Sequence, residues 1–142
     1  MDLLLICRDA VASSLLSNLI LAIEAHKSGK EVVILFTQEA LSALINGTFL
    51  WPKGLHGQRT RLTMADNASD FNIPVMLRGE GRQINAMGII ENAIKIGIPM
   101  YACPLWAKLL DLKGKLPEGI KEMDFETAIN ALFNAKKIIG SF

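Results

Sequence analysis

Two short apolar runs, each followed by a helix-spaced segment, constrain what this chain can fold into. Val32-Val33-Ile34-Leu35-Phe36 is apolar without interruption. A strand with one wet face alternates in polarity, whereas an unbroken apolar strand is covered on both faces. Leu3-Leu4-Leu5-Ile6-Cys7 has the same character. Between the two runs, Leu15, Leu16, Leu19, Ile20 and Ile23 recur at helical spacing across residues 10–27, and Gly29 follows as a stop. Thr37 stands where a cap is wanted for a second helix over residues 38–45, which Asn46-Gly47 closes. Strand, helix, strand, helix with short connections calls for right-handed crossovers. The expected fold is therefore α/β, with three layers, a mostly parallel sheet and helices on both faces.

A length of 142 residues suits one domain with a single core, spanning 1–142. With 51% hydrophobic and 20% charged residues, the chain falls in the globular class. A net charge of +1 argues against nucleic-acid binding by bulk electrostatics and leaves only a local basic patch open. The apolar start is too short for a membrane span or a secretory signal, and Asp2 stands where a basic flank belongs, so a cytoplasmic protein is expected.

Residues 48–72 carry no long clean period and predict a loop with a short helix near 60–68, within a long middle insertion at about 46–80. Residues 73–77 predict a short strand or extended stretch, and 78–82 a turn. Helical spacing returns over 83–95 through Ile84, Met87, Ile90 and Ile94. Residues 98–102 predict a strand and 104–112 a helix. Residues 120–123 predict a short strand, Asp124 caps a helix through residue 135, and 137–142 close the chain as a strand.

The chemistry points to Cys103. In Gly97-Ile98-Pro99-Met100-Tyr101-Ala102-Cys103-Pro104-Leu105-Trp106 an apolar strand ends on a thiol, and a proline suited to a first helical position follows at once. A thiol at a helix mouth meets unpaired N–H groups and the positive end of the helix dipole, which favour the reactive thiolate. The competing expectation is a buried, inert cysteine. Cys7 ends the first strand and, if its strand neighbours that of Cys103, is a candidate resolving thiol; the competing and favoured expectation is a strand residue packed in the core. Arg8 and Thr37 lie at carboxyl strand ends, where parallel sheets bind ligands. Trp106 is a candidate wall for the thiol pocket or a subunit contact. Arg78 and Arg82, with the glycines between them, form a candidate anion-binding turn, although Gly79-Glu80-Gly81 lacks the spacing of a dinucleotide fingerprint. Two cysteines and two histidines at scattered positions make no metal-ligand pattern, and no cofactor is expected.

The order of elements, the Gly-Ile-Pro-Met-Tyr-Ala-Cys run and the closing Lys137-Ile138-Ile139-Gly140-Ser141-Phe142 resemble the DsrE/DsrF/DsrH family of small sulfur-handling proteins. The middle insertion is closer to the family's longer DsrE-like branch, sometimes labelled peroxiredoxin-like. The resemblance implies a flavodoxin-like topology, trimeric or hexameric homo-oligomers, and a persulfide carried on the cysteine that corresponds to Cys103. Pro104-Leu105-Trp106 departs from the small polar residues common after that cysteine.

Three functions follow as expectations. The first is a sulfur carrier or sulfurtransferase acting with donor and acceptor proteins. The second is a non-catalytic oligomeric module that binds a small ligand or a protein at the strand-end crevice. The third is a thiol redox protein using Cys103 and Cys7.

Overall fold

A computed structural model describes residues 1–79 and 81–140. Its main sheet has five parallel strands in the order β6-β5-β2-β1-β7. These are β1 (Leu3–Cys7), β2 (Val32–Phe36), β5 (Met100–Ala102), β6 (Ile120–Glu122) and β7 (Lys137–Ile139). The helices are α1 (Ala12–Lys27), α2 (Gln38–Asn46), α3 (Gln58–Asn67), α4 (Ala86–Lys95), α5 (Pro104–Leu109) and α6 (Phe125–Asn134). A separate antiparallel hairpin joins β3 (Val75–Arg78) to β4 (Gly81–Ile84). The fold is the three-layer α/β arrangement expected from the apolar runs.

The unbroken run Val32–Phe36 is buried throughout, as a central strand covered on both faces must be. Successive side chains point to opposite faces of the sheet and build two cores. Leu5, Ile34, Phe36 and Met100 join α1, α2 and α4 in the larger core. Leu4, Val33 and Leu35 join Met123 and Ala131 of α6 in the smaller one.

The middle of the chain departs most from expectation. Residues 81–84 are a strand, where a turn and the start of a helix were predicted. Gln83 and Ile84 pair with Met76 and Val75 across a two-residue connection that begins at Gly79, whose φ is +59°. Glu80, inside the predicted turn, lies outside the described residues, as do Ser141 and Phe142 of the predicted last strand. α4 begins only after Asn85, whose side chain accepts the Gly88 N–H at 3.0 Å. α3 starts at Gln58, two residues before the predicted helix, and 3₁₀ turns occupy Lys53–Leu55 and Ala68–Phe71. α1 starts two residues later than predicted. Ala10 and Ala12 are held by backbone bonds to Leu50, and the Asp9 carboxylate takes the Val11 N–H at 3.0 Å.

Edge strand β7 is anchored through Asp2. The Asp2 carboxylate accepts from the Glu31 N–H at 2.8 Å and from the Lys136 ammonium at 2.9 Å, and the Asp2 carbonyl accepts from the Lys137 N–H. The hydrogen bond from Glu31, followed by that from Lys136, lowers the Asp2 pKa from 3.8 to about 2. A depressed carboxyl pKa contributes stability above its unfolded value and loses it as pH falls through the folded value. Stability should therefore decline between pH 3.8 and about 2, and Asp2→Asn should flatten that decline in acid titrations followed by circular dichroism.

Gly119 provides a second test. Its φ is +89°, and a Cβ there would lie 2.7 Å from Cγ2 of Ile94. Gly119→Ala should cost about 1–2 kcal/mol, the range for a left-handed non-glycine residue, in urea unfolding.

Candidate functional site

The carboxyl ends of parallel strands share one edge, and here that edge is tied together by backbone. Cys7, Phe36, Ala102 and Glu122 stand in one row of the register. One residue further on, each chain is pinned to its neighbour. The Thr37 N–H donates to the Cys7 carbonyl at 2.9 Å, and the Cys103 N–H to the Phe36 carbonyl at 2.9 Å. The Met123 N–H donates to the Ala102 carbonyl at 3.1 Å. The Arg8 carbonyl accepts from Ala40 at 3.2 Å. Arg8, Thr37 and Cys103 are thereby brought to one edge.

Cys103 is the N-cap of α5, with Pro104 at its first position. Its carbonyl accepts the Ala107 N–H at 2.9 Å, while its side chain makes no capping bond. The helix ends at Leu109, three residues short of the predicted 112, and Asp111 then turns the chain with φ +53°. Six residues are fewer than two turns, so few peptide dipoles align behind the sulfur. Access matters more. Ala102 and Pro104 are buried on either side, whereas Cys103 is partly exposed and packs against the smaller core, the face that carries Tyr101 and Met123.

Cys7 is not placed to resolve chemistry at Cys103, which corrects that expectation. Its side chain belongs to the larger core, on the opposite face of the sheet, and β2 separates the two strands. Two strand spacings amount to about 9–10 Å, beyond the reach of a disulfide. Burial pushes the Cys7 thiol up to about 12, opposed by the Asn18 amide and aided by the Asp9 charge. It stays protonated and inert at neutral pH.

Asn18 sits beside that thiol on α1 with 1% exposure, and neither end of its amide makes a hydrogen bond of ordinary geometry to a described residue. It was legible as the one polar member of the buried row Leu15, Asn18, Leu19 and Ala22.

Thr37 is buried at the head of α2, where it makes no side-chain cap. The next residue, Gln38, has φ +52°, a left-handed conformation held at this same edge. Arg8 is exposed. Trp106 is half-buried against the larger core, so it turns away from the face on which Cys103 packs and does not wall the thiol there. Arg82 is engaged by Asp66 at 2.6 Å, which removes it from the anion-binding reading of the 78–82 segment. Among the described residues no group of three or more His, Cys, Asp or Glu is gathered to hold a metal, and no helix is long and apolar enough to cross a membrane.

Five parallel strands between helices make this a three-layer α/β protein with a partly exposed thiol at the carboxyl edge of its sheet. The particular likeness is to the ychN protein from E. coli. Its crystal structure matches with a TM-score of 0.59 and 16% sequence identity over 98% of each chain. No family model matches the sequence, and no curated protein matches it.

The two sulfurs should separate in native alkylation. Iodoacetamide should add one label to the folded protein, at Cys103, and a second only after unfolding, while Cys103→Ser should take none when folded. Mass spectrometry of intact and digested protein reads both, and labelling of Cys7 in the native state would contradict the assignment.

Proposed function

We propose that the chain is a sulfur carrier, a sulfurtransferase in its simplest form, with Cys103 as the carrying residue. The Cys103 thiolate attacks the outer sulfur of a donor persulfide. A new S–S bond forms, the donor's S–S bond breaks, and the donor leaves as a thiolate. An acceptor thiolate then attacks the outer sulfur on Cys103 and restores the starting thiolate, so no net oxidant is consumed. This step calls on no metal or organic cofactor. The supporting observation is a partly exposed thiol between buried neighbours at the carboxyl edge of a parallel sheet, on a fold of the kind seen in ychN. Exposed Arg8 at the same edge is a candidate contact for an anionic donor, and buried Thr37 a candidate support for the loop beside the sulfur.

A second reading is a non-catalytic module that binds a partner or ligand at this edge. It is favoured by Leu50, a large apolar side chain left 72% exposed on the segment bonded to Ala10 and Ala12 just beyond β1. Both readings include assembly of identical copies, a trimer or hexamer as the family resemblance implies, and the cytoplasmic setting expected from the sequence. The thiol redox reading loses its second cysteine, because Cys7 is sealed on the far face.

Exposure to polysulfide should add the mass of a sulfur atom to the wild-type protein, and dithiothreitol should remove it. Cys7→Ser should behave as wild type, and Cys103→Ser should show no adduct. A wild-type protein that takes no sulfur, although iodoacetamide reaches Cys103, would end the carrier reading and leave the binding module.

A further inference from the structure

Helix α6 is packed inside out. Its inward residues are small, Ala128 and Ala131 against the smaller core. Its large apolar residues face outward: Phe125 is 58% exposed, Ile129 51%, Leu132 40% and Phe133 84%. At 3.6 residues per turn these four fall within about 100° of the helix surface, a continuous stripe. Ile138 of β7 pairs in register with Leu4, points to the same face of the sheet and is 46% exposed.

We infer that this stripe is the contact with a second copy of the chain, made by two-fold packing of α6 against α6 in antiparallel fashion. The spacing is self-complementary. Phe125 and Phe133 lie four residues either side of Ile129, so an axis at Ile129 sets Phe125 of each copy against Phe133 of the partner subunit, and Ile129 against its own counterpart. Antiparallel pairing also opposes the dipoles of the two helices.

The area fits. Allowing about 200 Å² for a Phe and somewhat less for Ile and Leu, these five side chains offer about 500 Å² of apolar surface per copy. A standard interface buries about 800 Å² per partner, roughly 56–65% of it apolar. The stripe supplies the apolar core of one such interface. This inference stands on the surface of α6 and is independent of any chemistry at Cys103.

The test is the mass of the full chain in solution by light scattering after gel filtration. The wild type should run as an even-numbered assembly, and Ile129→Glu should halve its mass while leaving the far-ultraviolet circular dichroism unchanged. In a Cys103→Ser background, Ile129→Cys should form a covalent dimer with diamide, and Glu24→Cys on the exposed side of α1 should not. A monomeric wild type, which would leave the stripe for a different protein or a membrane surface, overturns the inference, and so does a trimer, in which a two-fold contact has no place. So does an assembly whose mass Ile129→Glu leaves intact, or an Ile129→Cys protein that crosslinks no better than Glu24→Cys.

Discussion

A one-residue step along a strand carries a side chain from one face of a sheet to the other, and this parity governs the molecule. Cys7 and Ala102 stand in the same row and face the larger core. Cys103, one residue beyond that row, faces the smaller core and is partly open. Two sulfurs near one sheet edge therefore have opposite fates. Burial raises the Cys7 thiol and removes it from nucleophilic chemistry, whereas Cys103 stands where the strand has just ended and solvent begins.

The same parity explains what could be read from the chain alone. Val32–Phe36 admitted one interpretation, because five apolar residues in a row need cover on both sides. Leu3–Cys7 and the helix after it followed the same logic, and the strand that delivers Cys103 was marked by Pro104. The hairpin at β3 and β4 was hidden, because Gly-Arg-Gln-Ile has no alternating apolar pattern and its partner Val75–Arg78 exposes Val75, Met76 and Leu77. Propensity assigned Gln83 and Ile84 to the helix that follows, and cross-strand pairing overrode it. The boundary lay with Asn85, a side-chain cap that cannot be told from an interior asparagine until the helix is placed.

The site was partly legible, and the missing part has one physical origin. Position at the carboxyl edge follows from strand order, so Arg8, Thr37 and Cys103 could be nominated together. Facing direction requires register across three strands, which no single segment encodes. That is why Cys7 was grouped with Cys103, and why Trp106, three residues past the thiol, stood as a candidate wall for it beside the alternative of a subunit contact. Three residues is nearly a full helical turn, yet the N-cap has non-helical backbone, φ −58° and ψ 129°, and its side chain does not follow the helical periodicity of α5. Cys103 and Trp106 therefore end against different cores.

The face that bears Cys103 is also the one covered by α6, and that cover is thin. Ala128 and Ala131 bury little more than a methyl group each, against about 1.5–3 kcal/mol for a fully buried Leu, Ile or Phe. A helix with its small residues inward and its aromatic residues outward leaves most of its hydrophobic free energy unspent in the single chain. Packing α6 against its counterpart, as inferred above, would bury that stripe and hold the helix on the sheet at the same time. Met123 leads into α6 and packs in the same small core as Cys103.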